Sequence, residues 1–223
     1  MLVRLRYIFL SLIVSLALAF PLKNGVAQIP FENAIDRLIS EQMATQHLPG
    51  LALAITQGDK ILYAKGYGVA SSSEPVTVQT QFFIASVSKS FTAAAILQLV
   101  EAGKINLDAP VQTYLPEFTL SDANTGAQIT LRHLLNQVSG LSDLGFPESQ
   151  LPQPTTLKQR VTTLNTAHLV AVPGTEFHYF NPNYAILARV VEVVSHQPFS
   201  EYLRSHLFAP PETLKGCCHY SAA

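Results

Sequence analysis

Residues 91–100 read Phe-Thr-Ala-Ala-Ala-Ile-Leu-Gln-Leu-Val and carry no charge. Alanine and leucine favour helix. A helix apolar on nearly every side has no face to offer water, so this one is expected to be buried with other elements packed around it. Gly103 supplies a C-cap. Ser86 and Lys89 stand at its N-terminal end, where a lysine entering so apolar a helix is out of place as an ordinary solvated cation. Three residues apart on a helix, the two side chains share a face, and the amine can exchange a proton with the hydroxyl.

The remaining patterning places helices and a hairpin around that core. Phe31, Ile35, Leu38, Ile39 and Met43 recur at spacings of three and four, which predicts a first helix over 31–47 ended by Pro49-Gly50. Apolar runs at 51–55 and 61–69 flank the Gly58-Asp59 turn and predict a β-hairpin. Further helices are expected over 130–135, 155–168 and 183–195, with a last one over 198–207 headed by Pro198. The fold class is therefore α+β: an N-terminal hairpin followed by a long helical stretch.

Charge and composition exclude several functions. The 223-residue chain has a net charge of −1 and no basic run beyond its first residues, which argues against a nucleic-acid partner. The seven histidines show no ligand spacing such as His-Glu-x-x-His. The only cysteines, Cys217 and Cys218, are adjacent, and neighbours bridge only with strained geometry. Arg4 and Arg6 precede an uncharged stretch over 7–22, with small residues at Gly25 and Ala27. That pattern predicts a signal peptide over 1–27, removed after Ala27, and export to the periplasm or the exterior. An uncleaved segment acting as a membrane anchor is the alternative, because the apolar stretch is only slightly short of a span.

A serine hydroxyl is a poor nucleophile until a base removes its proton. Spacing alone leaves Ser86 and Lys89 open to a plainer reading, a serine near a cap beside a solvated lysine. A second polar group, Tyr179-Phe180-Asn181, lies between the Pro173-Gly174 turn and a helix. A tyrosine close to an ammonium can serve as a general base. An asparagine amide can both donate to and accept from a substrate amide. The plain alternative here is a buried aromatic followed by a helix-capping asparagine.

Taken together, these residues resemble a known family. Ser86-Val87-Ser88-Lys89 matches the Ser-x-x-Lys motif of penicillin-recognising serine enzymes. Its setting, Phe82-Phe83-Ile84-Ala85 before and Ser90-Phe91-Thr92 after, is similar to the branch holding class C β-lactamases, D-alanyl-D-alanine carboxypeptidases and related esterases. Tyr179-Phe180-Asn181 resembles that branch's Tyr-x-Asn motif. Leu131-Arg132-His133-Leu134-Leu135 with Ser139-Gly140-Leu141, and Gly103-Lys104-Ile105-Asn106-Leu107-Asp108, resemble two further stretches of it. The resemblance implies a β-lactamase/transpeptidase-like fold over 28–210, a small-molecule or peptide substrate, and no metal or organic cofactor. It implies that Ser86 is acylated, that Lys89 and Tyr179 shuttle its proton, and that Asn181 orients the substrate's amide. The Ser86 backbone N–H would supply half of an oxyanion hole.

Three departures qualify what the resemblance implies. Gln137-Val138 stands where the family usually has His-Thr, which bears on loop packing. Phe180 replaces a commonly small residue and would narrow the site. No Lys-Thr-Gly or His-x-Gly follows Tyr179, and 211–223 departs from the family pattern. The expectation is a truncated or frameshifted chain whose C-terminal sheet strands are missing. Its function is then a serine hydrolase acting on an amide, ester or β-lactam carbonyl, or else a catalytically incomplete fragment or binding homologue.

Overall fold

The computed structural model describes residues 29–71, 73–151 and 156–209. The expected signal peptide, Cys217-Cys218 and the atypical tail lie outside them. The described residues fall into two compact units, one within residues 1–80 and one within 81–223. None of the described helices is long and apolar enough to cross a membrane.

In the first unit, helix α1 spans Ile29–Gln46 and precedes an antiparallel hairpin of β1, Gly50–Gln57, and β2, Lys60–Gly68. Gly58 takes a φ of 59° at the turn, a conformation that glycine adopts without penalty. The register runs from Gly50 opposite Gly68 to Gln57 opposite Lys60, with an irregularity between Ile55 and Thr56. Alternation along β2 puts Tyr63, Lys65 and Tyr67 on one face. All three donate to one acceptor on α1: Asp36 receives Lys65 Nζ at 2.7 Å, the Tyr67 hydroxyl at 2.8 Å and the Tyr63 hydroxyl at 2.9 Å. Lys65 first, then Tyr67 and Tyr63, hold the Asp36 carboxyl down at about 2. Burial pushes the Tyr67 phenol well up, and its bonds to Tyr63 and Asp36 add to that.

The second unit is helical, as expected. Its centre is α6, Pro182–Ser195, in a series that includes α2, Ser88–Glu101; α3, Ala123–Gly126; α4, Leu131–Leu135; α5, Leu157–Thr163; and α7, Phe199–Leu203. On α6 the residues Asn183, Ile186, Leu187, Val190 and Val191 are buried, a stripe at helical spacing. Helix α6 packs against α2, α4, α5 and α7, and Phe118, Ile129, Leu131, Leu134 and Leu164 fill the space between elements. Thr130 and Thr156 begin α4 and α5 with capping boxes that use His133 and Gln159.

The buried helix is present but is not covered on every side. Thr92, Ala95, Ile96 and Leu99 are buried, whereas Leu97 is 52% exposed. Gly103 closes α2 with a φ of 68°, and the following Lys104 N–H returns to the Leu99 carbonyl at 2.9 Å. Two expected helices are shorter than predicted. The stretch 155–168 is α5 followed by a 3₁₀ turn, Leu164–Thr166. The last helix gives way after Leu203 to a π-helical turn, Arg204–Phe208.

The Asp36 cluster makes the first unit acid-sensitive. An unfolded aspartate titrates near ~3.9, so the ionised form is favoured by the folded state. Its stabilising contribution is present above ~pH 4 and is lost as pH falls through about 2. Thermal melts of the wild type are therefore expected to weaken across that window. Asp36→Asn should be less stable at neutral pH and flatter over the same window; identical profiles for the two proteins would contradict this.

Candidate active site

Ser86 does not lie on α2 itself. It occupies the 3₁₀ turn Ala85–Val87 that leads into the helix. Ala85 adopts a φ of 45°, a left-handed conformation that costs an alanine of order 1–3 kcal/mol. Two bonds brace the turn: the Ser88 hydroxyl donates to the Ala85 carbonyl at 2.7 Å, and the Val87 N–H donates to the Ile84 carbonyl at 3.0 Å. The strain is local to the residue before Ser86, and Ser86 lines an open cleft of about 470 Å³. Phe83, Lys89, Glu148, Arg160 and Asn181 also line that cleft.

The structure brings all four expected site residues together. Lys89, in the first turn of α2, donates to Ser86 Oγ at 3.1 Å and to Asn181 Oδ1 at 2.7 Å. Ser86 Oγ and the Tyr179 hydroxyl are 2.8 Å apart, close enough for either to donate. The Lys89 ammonium stands 4.9 Å from the centre of the Tyr179 ring and 5.7 Å from that of Tyr184, within reach of both quadrupoles. The Lys89 ammonium first, and the Ser86 hydroxyl second, hold the Tyr179 phenol below its ordinary range; burial and the Glu148 charge oppose them. The phenolate form of Tyr179 is thus favoured. Lys89 is the cation that makes this favourable.

The plain reading of Tyr179 and Asn181 does not hold. Tyr179 is 49% exposed rather than a core aromatic. Asn181 stands at the N-cap of α6 yet makes no side-chain capping bond. Its amide is spent on the site instead: Oδ1 takes the lysine, and Nδ2 donates to Glu148 Oε2 at 3.0 Å. Phe180 does not narrow the site as expected, because its side chain is fully buried in the core cluster.

Three participants escaped the sequence reading. Glu148 fixes the Asn181 amide from a turn 33 residues away, and no motif marks it. Tyr184, three residues after Asn181 on α6, lies one helical turn from the motif; that spacing could have shown that it approaches Lys89. Gln137 is buried behind the Tyr179 loop, accepting from the Phe180 N–H at 3.1 Å. It was singled out only as a departure from the family pattern, and the loop packs around it.

Comparison with known proteins agrees with the geometry. The Beta-lactamase family profile matches residues 35–213, and the chain belongs to that family. It is 30% identical over 182 residues to protein flp of Staphylococcus aureus strain MW2, covering 80% of this chain and 36% of that protein. It is 33% identical over 184 residues to penicillin-binding protein 4 of Amycolatopsis lactamdurans, covering 82% of this chain and 48% of the relative. Among solved structures, the octameric penicillin-binding protein homologue from Pyrococcus abyssi superposes with a TM-score of 0.69 at 30% identity. That match takes in 78% of this chain and 42% of the homologue. The chain therefore spans less than half the length of each of these proteins.

The cation's influence on the phenol can be read directly. Lys89→Met removes the charge that favours phenolate, so the Tyr179 titration midpoint should rise. Phenolate absorbance, taken as the difference from Tyr179→Phe, measures it. An unchanged midpoint would mean that Lys89 does not tune Tyr179.

Proposed function

We propose that the chain carries the nucleophilic centre of a serine hydrolase that acts through an acyl-enzyme on an amide, ester or β-lactam carbonyl. The observation that carries the reading is the placement of Ser86 Oγ, 2.8 Å from the Tyr179 hydroxyl and 3.1 Å from Lys89 Nζ. A nucleophile within hydrogen-bond reach of a base, itself oriented by a third group, is the arrangement nucleophilic catalysis requires. Tyr179 takes the Ser86 proton as Oγ bonds to the carbonyl carbon. The Ser86 backbone N–H is one donor to the resulting oxyanion. When the tetrahedral intermediate collapses, the bond to the leaving nitrogen or oxygen breaks, and Tyr179 returns the proton to it. A water molecule, deprotonated by the same group, then releases the acyl chain and restores Ser86.

Lys89 lies beside Ser86 and Tyr179, and Asn181 presents its amide to the substrate's own amide. The names of two relatives, both of the penicillin-binding kind, support a penicillin-like substrate. The basic start and apolar stretch before Gln28 support export, with the mature chain beginning there. The N-terminus of the purified secreted protein, read by mass spectrometry, tests that point: Gln28 is expected, and a retained Met1 would favour an anchor.

The main test is covalent labelling. A fluorescent penicillin and a reactive phosphonate ester should each label the wild-type protein at Ser86. Ser86→Ala should abolish labelling, and Tyr179→Phe should slow it by about a hundredfold or more. Equal labelling of Ser86→Ala would overturn the assignment. Folded wild-type protein that resists every acylating probe would leave a binding role in place of catalysis.

A further inference from the structure

Gln137 combines three properties that packing alone does not require. It is 6% exposed, and its backbone φ is 59°, a conformation that glycine would adopt with less strain. The position therefore retains a long polar side chain at the expense of backbone comfort. Its Oε1 accepts from the Phe180 backbone N–H at 3.1 Å and from Asn183 Nδ2 at 2.6 Å. Its own backbone carbonyl accepts from the His178 N–H at 2.9 Å.

The amide's orientation is not arbitrary. A backbone N–H can only donate, so the group facing Phe180 must be the oxygen. Nε2 is consequently left as the one buried side-chain polar atom without a hydrogen-bond partner among the described residues. A buried donor without a partner is costly. An apolar side chain of the same shape would avoid that cost, so what the position retains is the acceptor. That acceptor meets residues 180 and 183, and the backbone carbonyl of the same residue meets 178, so that Gln137 brackets Tyr179 and Asn181. Asn183 is itself fixed from behind, its Oδ1 accepting from the Ser139 hydroxyl at 2.9 Å.

We propose that Gln137 is the positioning residue of this site: it grips the backbone between Tyr179 and Asn181 from the core side, so that both side chains reach Ser86 and Lys89. The role rests on the acyl-transfer reading given above. Gln137 touches neither Ser86 nor the cleft lining, and it acts only through the loop. The 2.8 Å approach of the Tyr179 hydroxyl to Ser86 Oγ is the distance it sets.

The test follows the phenol as well as the chemistry. Gln137→Met keeps the side chain's length and removes the acceptor. Gln137→Asn keeps an amide but withdraws it by one methylene, so it serves if the Met variant fails to fold. In either, the Tyr179 phenolate midpoint should rise toward the ordinary phenol range. The rate of labelling by a fluorescent penicillin should fall by about tenfold to a hundredfold, with its pH profile displaced upward in step. Gln137→Glu retains an oxygen facing Phe180 and should restore most of both. Ser139→Ala loosens the same buried cluster without touching the Phe180 bond, so it should lower the melting temperature and leave the phenol midpoint in place.

A Gln137→Met or Gln137→Asn protein that melts lower but keeps the wild-type Tyr179 midpoint would overturn the proposal and leave Gln137 a packing residue. Because the phenol titration needs no turnover, it also separates the two readings. Wild type that resists acylation while Gln137 still governs the midpoint would sink the hydrolase function alone.

Discussion

The ammonium of Lys89 is shared among groups that the chain brings from two distant segments. It donates to Ser86 on its own turn and to Asn181 more than ninety residues away, and it lies against the rings of Tyr179 and Tyr184. Everything else in the site is arranged so that this one cation meets all four. Helix α2 must be held by its buried stripe to give the lysine a fixed origin. Helix α6 must pack against α2 to bring Asn181 and Tyr184 within reach. The consequence is electrostatic: a positive charge beside a phenol lowers the energy of the phenolate.

The two sides of the site are held by different means. On the Ser86 side, a strained alanine and the Ser88 hydroxyl set a single tight turn, and the strain is tolerated because the helix behind it is locked in the core. On the Tyr179 side there is no regular element between Pro173-Gly174 and α6. An irregular loop must satisfy its backbone groups individually. Gln137 does so with both its side-chain oxygen and its carbonyl. Phe180, buried in the core, supplies the apolar anchor that a loop of polar residues otherwise lacks.

The hairpin unit shows the same economy in another form. One aspartate on α1 collects three donors from alternate positions of β2. A two-stranded hairpin is marginal by itself, and this contact gives it a partner. The resulting pKa displacement of Asp36 belongs to that structural tie.

The sequence by itself determined the buried helix, the hairpin turn and the four residues that meet at the site. These depend on local rules: three residues of separation at a helix start keep Ser86 near Lys89, an all-apolar run demands a core, and Gly103 ends the helix it follows. It also carried a motif pair whose order and separation resemble one family. The tertiary structure alone decided how those residues are held. Nothing local says that Phe180 points inward rather than into the cleft, that Asn181 forgoes capping to bridge Lys89 and Glu148, or that Ser86 stands on a 3₁₀ turn behind a strained alanine. Gln137 appeared in the sequence only as a mismatch, because its partners lie more than forty residues away in the chain. Hydrogen bonds between segments so far apart leave no periodic trace in either one, whereas burial and helical spacing leave a trace every few residues.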